Sequence, residues 1–165
     1  MKILTLIRHA KSSWKHEELD DHERPLNKRG ERDALAIARY LQMQSDIDDS
    51  FDVIYSSTAT RALELGQTIS DFTNITLIPD LSFYTFDPDE LLEILRSLPE
   101  QASRIAIVGH NPAIIQLVNR LSAASLKKLP TSGVVTLECP VDYWHELDQG
   151  LCNLNSVITP KLLNG

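Results

Sequence analysis

Basic and imidazole side chains follow three short apolar stretches of the chain. These side chains are Arg8 and His9 after the first stretch, Arg61 beyond the second and His110 after the third. Two guanidinium groups beside two imidazoles suit a tetrahedral dianion, because guanidinium N–H groups pair with phosphate oxygens and stay charged at any working pH. Helix N-termini expected after the second and third stretches would add backbone N–H donors. The four side chains therefore predict a site for a phosphoryl group, provided that the three stretches form parallel, adjacent strands.

Catalysis gives a histidine at the end of a strand a use that binding alone does not require. A neutral imidazole can attack phosphorus in line and hold the transferred group as a phosphoramidate. Nearby cations keep the imidazole neutral because they oppose its protonation. We therefore assign His9 as the nucleophile and His110 as a donor to the equatorial phosphoryl oxygens, while Arg8 and Arg61 bind the phosphate.

Other phosphatase chemistries do not fit the sequence. A cysteine nucleophile would need an arginine six positions later, and neither Cys139 nor Cys152 is followed by one. An aspartyl nucleophile would need paired aspartates after an apolar strand, whereas Asp46 and Asp48 lie in a predicted polar connector at 45–51. The chain has no GxxxxGK loop and no GxSxG elbow. A histidine nucleophile is the hypothesis that remains.

A metal site is the rival interpretation of the two histidines. His9 and His110 could act as ligands, but no carboxylate lies at a familiar ligand spacing from either, and two neighbouring arginines would repel the ion. The other histidines, His16, His22 and His145, lie in polar surroundings, and we expect them to be solvated. The sequence therefore favours a site without a metal.

Alternating strands and helices would bring the four side chains together. The predicted strands are residues 3–7, 52–57, 75–79, 104–109, 133–139 and 151–159. The predicted helices follow Asn27 to about Gln44, follow Thr60, extend from Asp87 to Leu98, and follow Asn111. Because strands alternate with helices until the final hairpin-like pair, the sequence predicts an α/β fold, a three-layer sandwich with a mostly parallel central sheet. Chemistry in such sheets collects where the strands end.

Capping residues and apolar spacing give more local expectations. Asn27, Asp87 and Asn111 are predicted helix caps, and Pro112 is predicted at the first position of the last helix. Leu35 belongs to an apolar set at helical spacing, and we expect it on the buried face of the first helix.

Length and composition bound the domain organisation and the partners. The chain has 165 residues, of which 42% are hydrophobic, and this suits a single domain spanning 1–165. A formal net charge of −7 and a pI near 5.1 argue against nucleic acid and anionic membranes as partners. No apolar run approaches the roughly 20 residues that span a bilayer. We therefore expect a cytoplasmic protein, in which Cys139 and Cys152 stay reduced.

Three sequence motifs resemble those of a known family. They are RHA at 8–10, SSTATRALELGQT at 56–68 and GHNP at 109–112. Their order and spacing are similar to those of the histidine phosphatase superfamily, which has the phosphoglycerate mutase-like fold. The stretches RHAKS, RPLNKRG and ITPKLL resemble its SixA-type branch, described as phosphohistidine phosphatases. The resemblance implies a catalytic core of Arg8, His9, Arg61 and His110, transient phosphorylation of His9, and no metal or organic cofactor.

Two features depart from the superfamily pattern. Ala10 stands where the superfamily usually has glycine, so the backbone there must suit a residue with a Cβ atom. The general acid of the mutases, a glutamate in a long insertion, has no clear counterpart in this chain. Asp21, in a predicted loop at 10–26, aligns with an aspartate proposed near the site in the small branch. The alternative for Asp21 is a solvated acidic residue of the loop.

The lack of a clear general acid in the sequence bears on which substrate the site favours. An alkoxide leaving group, with a conjugate acid near the pKa of about 15.7 of water, needs a proton in the transition state, whereas an imidazole of pKa about 6.5 leaves far more easily. A chain of 165 residues also leaves no room for a large lid, and an open pocket would admit a phosphohistidine carried by another protein. We therefore expect a phosphatase acting on phosphohistidine of a protein. Two alternatives stay open, a phosphomonoesterase for a small phosphorylated metabolite and a non-catalytic phosphate-binding module.

Overall fold

A six-stranded sheet is the centre of the part of the chain that the computed structural model describes, residues 1–47 and 50–164. Its strands are β1 (Lys2–Arg8), β2 (Val53–Ser56), β3 (Leu77–Pro79), β4 (Arg104–Gly109), β5 (Val134–Cys139) and β6 (Asn153–Ile158). Their order across the sheet is β3-β2-β4-β1-β5-β6. The pairs β1/β4, β2/β4 and β2/β3 are parallel, and the pairs with β5 are antiparallel. The predicted mostly parallel sheet is confirmed, and no strand end differs from the prediction by more than two residues.

The strand β1 lies in the interior of the sheet, between β4 and β5. Its side chains are buried on both faces of the sheet, since Leu6 belongs to one hydrophobic cluster and Ile7 to the other. This explains the continuous apolar run in the sequence, because a strand covered on both faces has no solvent side to make polar. Each fully buried Leu or Ile stabilises the fold by about 2 kcal/mol.

Helices cover both faces of the sheet. They are α1 (Lys28–Ser45), α2 (Thr60–Thr73), α3 (Pro88–Arg96), α4 (Ala113–Leu121) and α5 (Pro160–Asn164). The buried faces of α1 and α2 share one hydrophobic cluster with the sheet, and those of α3 and α4 share the other. The predicted three-layer sandwich is therefore confirmed. Within the described ranges, none of these helices combines the length and apolarity needed to cross a membrane.

Two of the three predicted helix caps are confirmed. Asn27 Oδ1 accepts a hydrogen bond from the Gly30 N–H at 2.8 Å, and Asp87 Oδ1 accepts one from Asp89 at 2.9 Å. The third cap was wrong. Helix α4 begins at Ala113, and Asn111 accepts from the Ile115 N–H at 3.2 Å, four residues on and beyond the reach of a regular cap. The Asn111 amide also donates to the Leu129 carbonyl, which holds it outside the helix.

The inward position predicted for Leu35 was also wrong, since it is 40% exposed. The buried face of α1 contains Ala34, Ile37, Ala38 and Leu41, and Leu35 lies to one side of it. Helix α1 ends at Ser45, and positions 48 and 49 of the predicted connector, including Asp48, lie outside the described residues.

The loop at 10–26 is held against the start of α1. Ser12 and Leu26 form an isolated antiparallel bridge, and the Asn27 N–H donates to the Lys11 carbonyl at 3.0 Å. A Cβ atom at Gly30 would lie only 2.1 Å from the same carbonyl oxygen, so the close approach requires glycine there. The loop is thereby fixed beside the end of β1.

Candidate active site

The four predicted side chains converge at the carboxyl end of the parallel strands. Arg8 ends β1 and pairs with Gly109 of β4, so that His9 and His110 follow on adjacent strands. The His9 N–H donates to the Gly109 carbonyl at 2.9 Å, and the two imidazole centroids are 5.2 Å apart. Arg61 lies in the first turn of α2, and its carbonyl accepts from the Ala10 N–H at 3.3 Å. Backbone hydrogen bonds thus join the three segments that carry the site.

A hollow of about 230 Å³ lies beside three of the predicted side chains, those of Arg8, His9 and Arg61, and His110 lies behind His9 outside its lining. The hollow is lined by Arg8, His9, Lys11, Ser12, Trp14, Arg24, Arg61 and Thr131. The Nε atoms of Arg8, Arg24 and Arg61 are buried and have no hydrogen-bond partner among the described residues. Buried donors normally find partners, because an unsatisfied donor loses its hydration without compensation. Three such cationic donors around one hollow indicate a site for an anion.

The tautomer of His9 is set by its backbone neighbour. His9 Nδ1 lies 2.8 Å from the Ala10 carbonyl oxygen, which can only accept, so Nδ1 carries the proton and Nε2 keeps its lone pair. Burial lowers the pKa of His9 to about 4, and the charges of Arg61, Arg8 and Arg24 act in the same direction against the hydrogen bond to Ala10. His9 is therefore a neutral imidazole near pH 7.

His110 is almost completely buried, at 1% exposure. Its Nε2 lies 2.8 Å from Ser57 Oγ, which accepts from the Ala59 N–H at 3.1 Å. The Ser57 hydroxyl has no other acceptor among the described residues, so it donates to Nε2 and leaves the proton of His110 on Nδ1. That Nδ1 has no partner within the described part of the chain. Burial, followed by the charges of His9 and Arg61, lowers the pKa of His110 to about 3.

Asp21 lies against Arg61. The Arg61 guanidinium donates to the Asp21 carbonyl at 2.7 Å and to its carboxylate at 2.9 Å, and Tyr84 donates its hydroxyl to the same carboxylate oxygen at 2.6 Å. Burial raises the pKa of Asp21, but the hydrogen bonds from Tyr84 and Arg61 and the charges of Arg61 and Arg24 outweigh it and lower the pKa. The carboxyl group is therefore ionised near pH 7.

Arg24 and Trp14 belong to the site, although sequence reasoning did not assign them. Arg24 donates to the Ser12 hydroxyl, and its guanidinium carbon lies 3.5 Å from the centroid of the Trp14 ring. This cation–π contact holds an indole that is 76% exposed at the edge of the hollow. The stretch RPLNKRG, which begins with Arg24, was the available signal.

Two aromatic residues pack against the imidazole ring of His110. The rings of Tyr84 and Phe86 lie 5.3 Å and 5.2 Å from the His110 imidazole, measured between centroids. His22, which the sequence predicts to be solvated, is only half exposed, because its Nε2 is hydrogen-bonded to Thr58 Oγ1 at 2.7 Å and its ring meets Tyr84 edge-on. No spacing in the sequence relates Tyr84 to Asp21, since the fold alone brings them together.

Ala10 fits the site without left-handed backbone. The non-glycine residues with positive φ in the described ranges are Asn74 and Ser132, and Ala10 is fully buried in an ordinary conformation. A Cβ atom is therefore tolerated at this position.

Over residues 1–47 and 50–164, no three His, Cys, Asp or Glu side chains are grouped so as to hold a metal ion.

Comparison with known proteins identifies the family. The sequence model of the histidine phosphatase superfamily (branch 1) matches residues 4–84, and an uncharacterized chloroplastic protein of Arabidopsis thaliana is 35% identical over 157 residues, which cover 87% of this chain and 69% of the relative. The chain belongs to the histidine phosphatase superfamily. An uncharacterized protein of Mycobacterium tuberculosis is 28% identical over 167 residues, which cover 94% of this chain and 100% of the relative.

Solved structures of similar fold include proteins of the SixA type and a mycobacterial glucosyl-3-phosphoglycerate phosphatase, the latter with a TM-score of 0.71 at 13% identity over 94% of this chain and 98% of that one, which shows likeness of fold alone. A candidate phosphohistidine phosphatase SixA from Agrobacterium tumefaciens matches with a TM-score of 0.78 and 25% identity, over 96% of this chain and 98% of that one. A protein histidine phosphatase SixA complexed with tungstate has a TM-score of 0.80 at 17% identity, over 98% of this chain and 99% of the other, and shows likeness of fold alone. The match to the family model ends before His110, and it is the strand pairing that brings His110 to His9.

Proposed function

We propose that this histidine phosphatase removes phosphate from phosphohistidine on another protein, with His9 as the nucleophile. One observation carries the proposal: a neutral imidazole lies beside three arginines, and within residues 1–47 and 50–164 neither its Nε2 nor their buried Nε donors have a hydrogen-bond partner. A phosphoryl group supplies both an electrophilic phosphorus for Nε2 and acceptor oxygens for the guanidiniums. The 25% identity to a candidate SixA, over nearly the whole chain, supports the choice of substrate.

In the first step, His9 Nε2 attacks phosphorus in line as the bond from phosphorus to the substrate nitrogen breaks. The ring of His9 gains positive charge as the new P–N bond forms, and the hydrogen bond from Nδ1 to the Ala10 carbonyl stabilises that charge. Arg8 and Arg61 bind the equatorial oxygens, and His110 donates to one of them from Nδ1. The substrate imidazole, which carries a proton on its other ring nitrogen, departs as neutral imidazole with the electron pair of the broken bond.

In the second step, water attacks the phosphorus of phosphorylated His9. The water oxygen bonds to phosphorus, the electron pair of the P–N bond returns to Nε2, and phosphate leaves with the protons of the water. His9 is restored as the neutral Nδ1–H tautomer, which its depressed pKa favours. The enzyme is then ready for another cycle.

The state of Asp21 supports an imidazole leaving group. An ionised carboxylate has no proton to give, so we propose that Asp21 positions Arg61 and is not the general acid. An alkoxide leaving group would be poor in this site, whereas an imidazole of pKa about 6.5 leaves without such help. The same argument makes alkyl phosphates, including sugar phosphates, weaker substrates.

The test is to trap phosphorylated His9. The enzyme is mixed with a ³²P-phosphohistidine protein and quenched, and we expect an acid-labile, base-stable label at His9 that His9→Ala removes together with all turnover. His145→Ala, which changes an exposed histidine away from the site, is the matched control and should keep both the label and the turnover. A panel of sugar phosphates follows in parallel. A label on His9→Ala, or a strong preference for the sugar phosphates, would refute the proposal.

A further inference from the structure

A second cavity, of about 640 Å³, lies between α1 and α5. Leu35, Ala36 and Pro160 give it an apolar floor. Its rim carries four cations, Arg29, Arg32, Arg39 and Lys161. The acid in its lining is Asp33, whose side chain is only 8% exposed and is paired with Arg29 at 3.6 Å.

The cations of this rim are mostly unpaired. Arg32, Arg39 and Lys161 make no ion pair with any acid in the described ranges, and all three are exposed. Arg29 and Arg32 are three residues apart on one helix, a spacing at which like charges repel. The chain has a net charge of −7, so acids are plentiful elsewhere. A concentration of unpaired cations on such a protein indicates a surface that meets negative charge from outside.

The same surface reaches the active site. A neighbouring depression shares Arg29 with this cavity and adds Lys28, Lys15 and Ser13, together with one acid, Glu31. Ser13 directly follows Ser12, which lines the catalytic hollow. We call the six cations of the two depressions the basic strip; they are Lys15, Lys28, Arg29, Arg32, Arg39 and Lys161. The part on α1 from Arg29 to Arg39 is about 15 Å long, since a helix rises about 1.5 Å per residue.

We propose that the basic strip docks an acidic segment of the phosphoprotein substrate while its phosphohistidine occupies the hollow. This rests on the function proposed above and adds the chemistry of the partner. A concave floor of Leu35, Ala36 and Pro160 accepts an apolar side chain of such a segment, and the exposed cations pair with its carboxylates. Charge complementarity of this kind raises association rates and selects among partners.

The experiment uses two phosphohistidine peptides of equal length that differ only in a tail of Asp and Glu or of Asn and Gln, prepared with the tail on either side. At low salt, we expect kcat/KM to be about tenfold higher for the better of the two acidic-tailed peptides than for its counterpart with the Asn and Gln tail. About three exposed ion pairs account for a difference of this size. The preference should disappear at about 1 M salt, where the Debye length is about 3 Å. In Arg32→Glu/Arg39→Glu it should be lost, and Arg32→Gln/Arg39→Gln should reduce it.

The matched control is Lys127→Glu/Lys128→Glu, which changes the net charge equally from exposed positions between α4 and β5. It should keep the preference, and all variants should hydrolyse p-nitrophenyl phosphate like the unmodified enzyme. Equal rates on both peptides, or equal loss in the control, would overturn the docking proposal. The docking proposal would also be overturned if the enzyme showed no peptide preference but bound phosphatidylserine vesicles, and if Arg32→Glu/Arg39→Glu abolished that binding. Hydrolysis of p-nitrophenyl phosphate without turnover of either peptide would instead refute the proposed substrate.

Discussion

The depressed pKa of His9 predicts how the stability of the protein depends on pH. The pKa of His9 is lowered by burial from 6.5 to about 4, so a proton that the unfolded chain binds readily is excluded from the folded one. Because the unfolded state binds more protons between these two values, stability is complete above pH 6.5 and falls as the pH drops toward 4. Replacing His9 by Asn removes this proton linkage, while its side-chain amide can still donate to the Ala10 carbonyl.

The magnitude follows from the two pKa values. At about pH 5, an unfolded histidine of pKa 6.5 is largely protonated and a folded one of pKa about 4 is largely neutral, which costs the folded state about 2 kcal/mol relative to about pH 8. His110 is present in both proteins and its pKa of about 3 keeps it neutral in both folded states at this pH, so its contribution cancels. The native protein should therefore lose about 2 kcal/mol more stability than His9→Asn over this interval.

Urea denaturation followed by circular dichroism at the two pH values measures the difference. Nitrogen-detected NMR of the native protein adds the tautomer, which should be Nδ1–H for His9 across the neutral range. If both proteins lost the same stability, or if His9 titrated near 6.5, the neutral nucleophile would not exist as described. The first step of the proposed mechanism would then have no basis.

Substitutions at three further positions test the surroundings of His9 and His110. Ser57→Ala removes the hydroxyl donor to His110 Nε2, so it should lower the free energy of unfolding by about 1–2 kcal/mol and also lower kcat. Ser57→Thr keeps a hydroxyl and should retain most of the stability and most of kcat. Urea titrations measure the stability and steady-state assays measure kcat. Arg61→Lys loses the planar fork and should lower kcat/KM about 100-fold with weaker inhibition by inorganic phosphate; unchanged inhibition would contradict phosphate binding by Arg61. Asp21→Asn should lower kcat/KM for phosphohistidine about tenfold or less, while a loss of about 10²–10⁴-fold would show that Asp21 is the proton donor.

The parts of the fold that the sequence predicts are those governed by local pattern. The run of aliphatics in β1 indicates a strand buried on both faces, and strands of that kind form the parallel part of the sheet. The caps at Asn27 and Asp87 follow from short side chains that reach back to the next turn. The start of α4 could not be predicted, because the Asn111 side chain is shared with the distant Leu129 carbonyl.

In the site, too, some residues could be predicted from local sequence pattern and others could not. Arg8, His9 and His110 follow strands whose ends meet at one edge of the sheet, and sequence reasoning could place them together. Tyr84 reaches Asp21 across 63 residues of chain, and only packing establishes that contact. Polar surroundings in the sequence suggested that His22 is solvated, although its neighbours in space are Thr58 and Tyr84. Proximity along the chain is a poor guide to the environment of a loop side chain.

The interior position of β1 has a consequence for biosynthesis. Its hydrogen-bonding neighbours β4 and β5 are encoded roughly a hundred and more residues later, and the Ser132 N–H donates to the carbonyl oxygens of Arg8 and His9. A nascent polypeptide therefore emerges from the ribosome with His9, the proposed nucleophile, long before the pocket around it exists, because such distant pairings form last. A premature stop before β5 would yield a product that carries His9 without a completed sheet, so activity at the proposed site requires that β5 has been synthesised and has paired with β1.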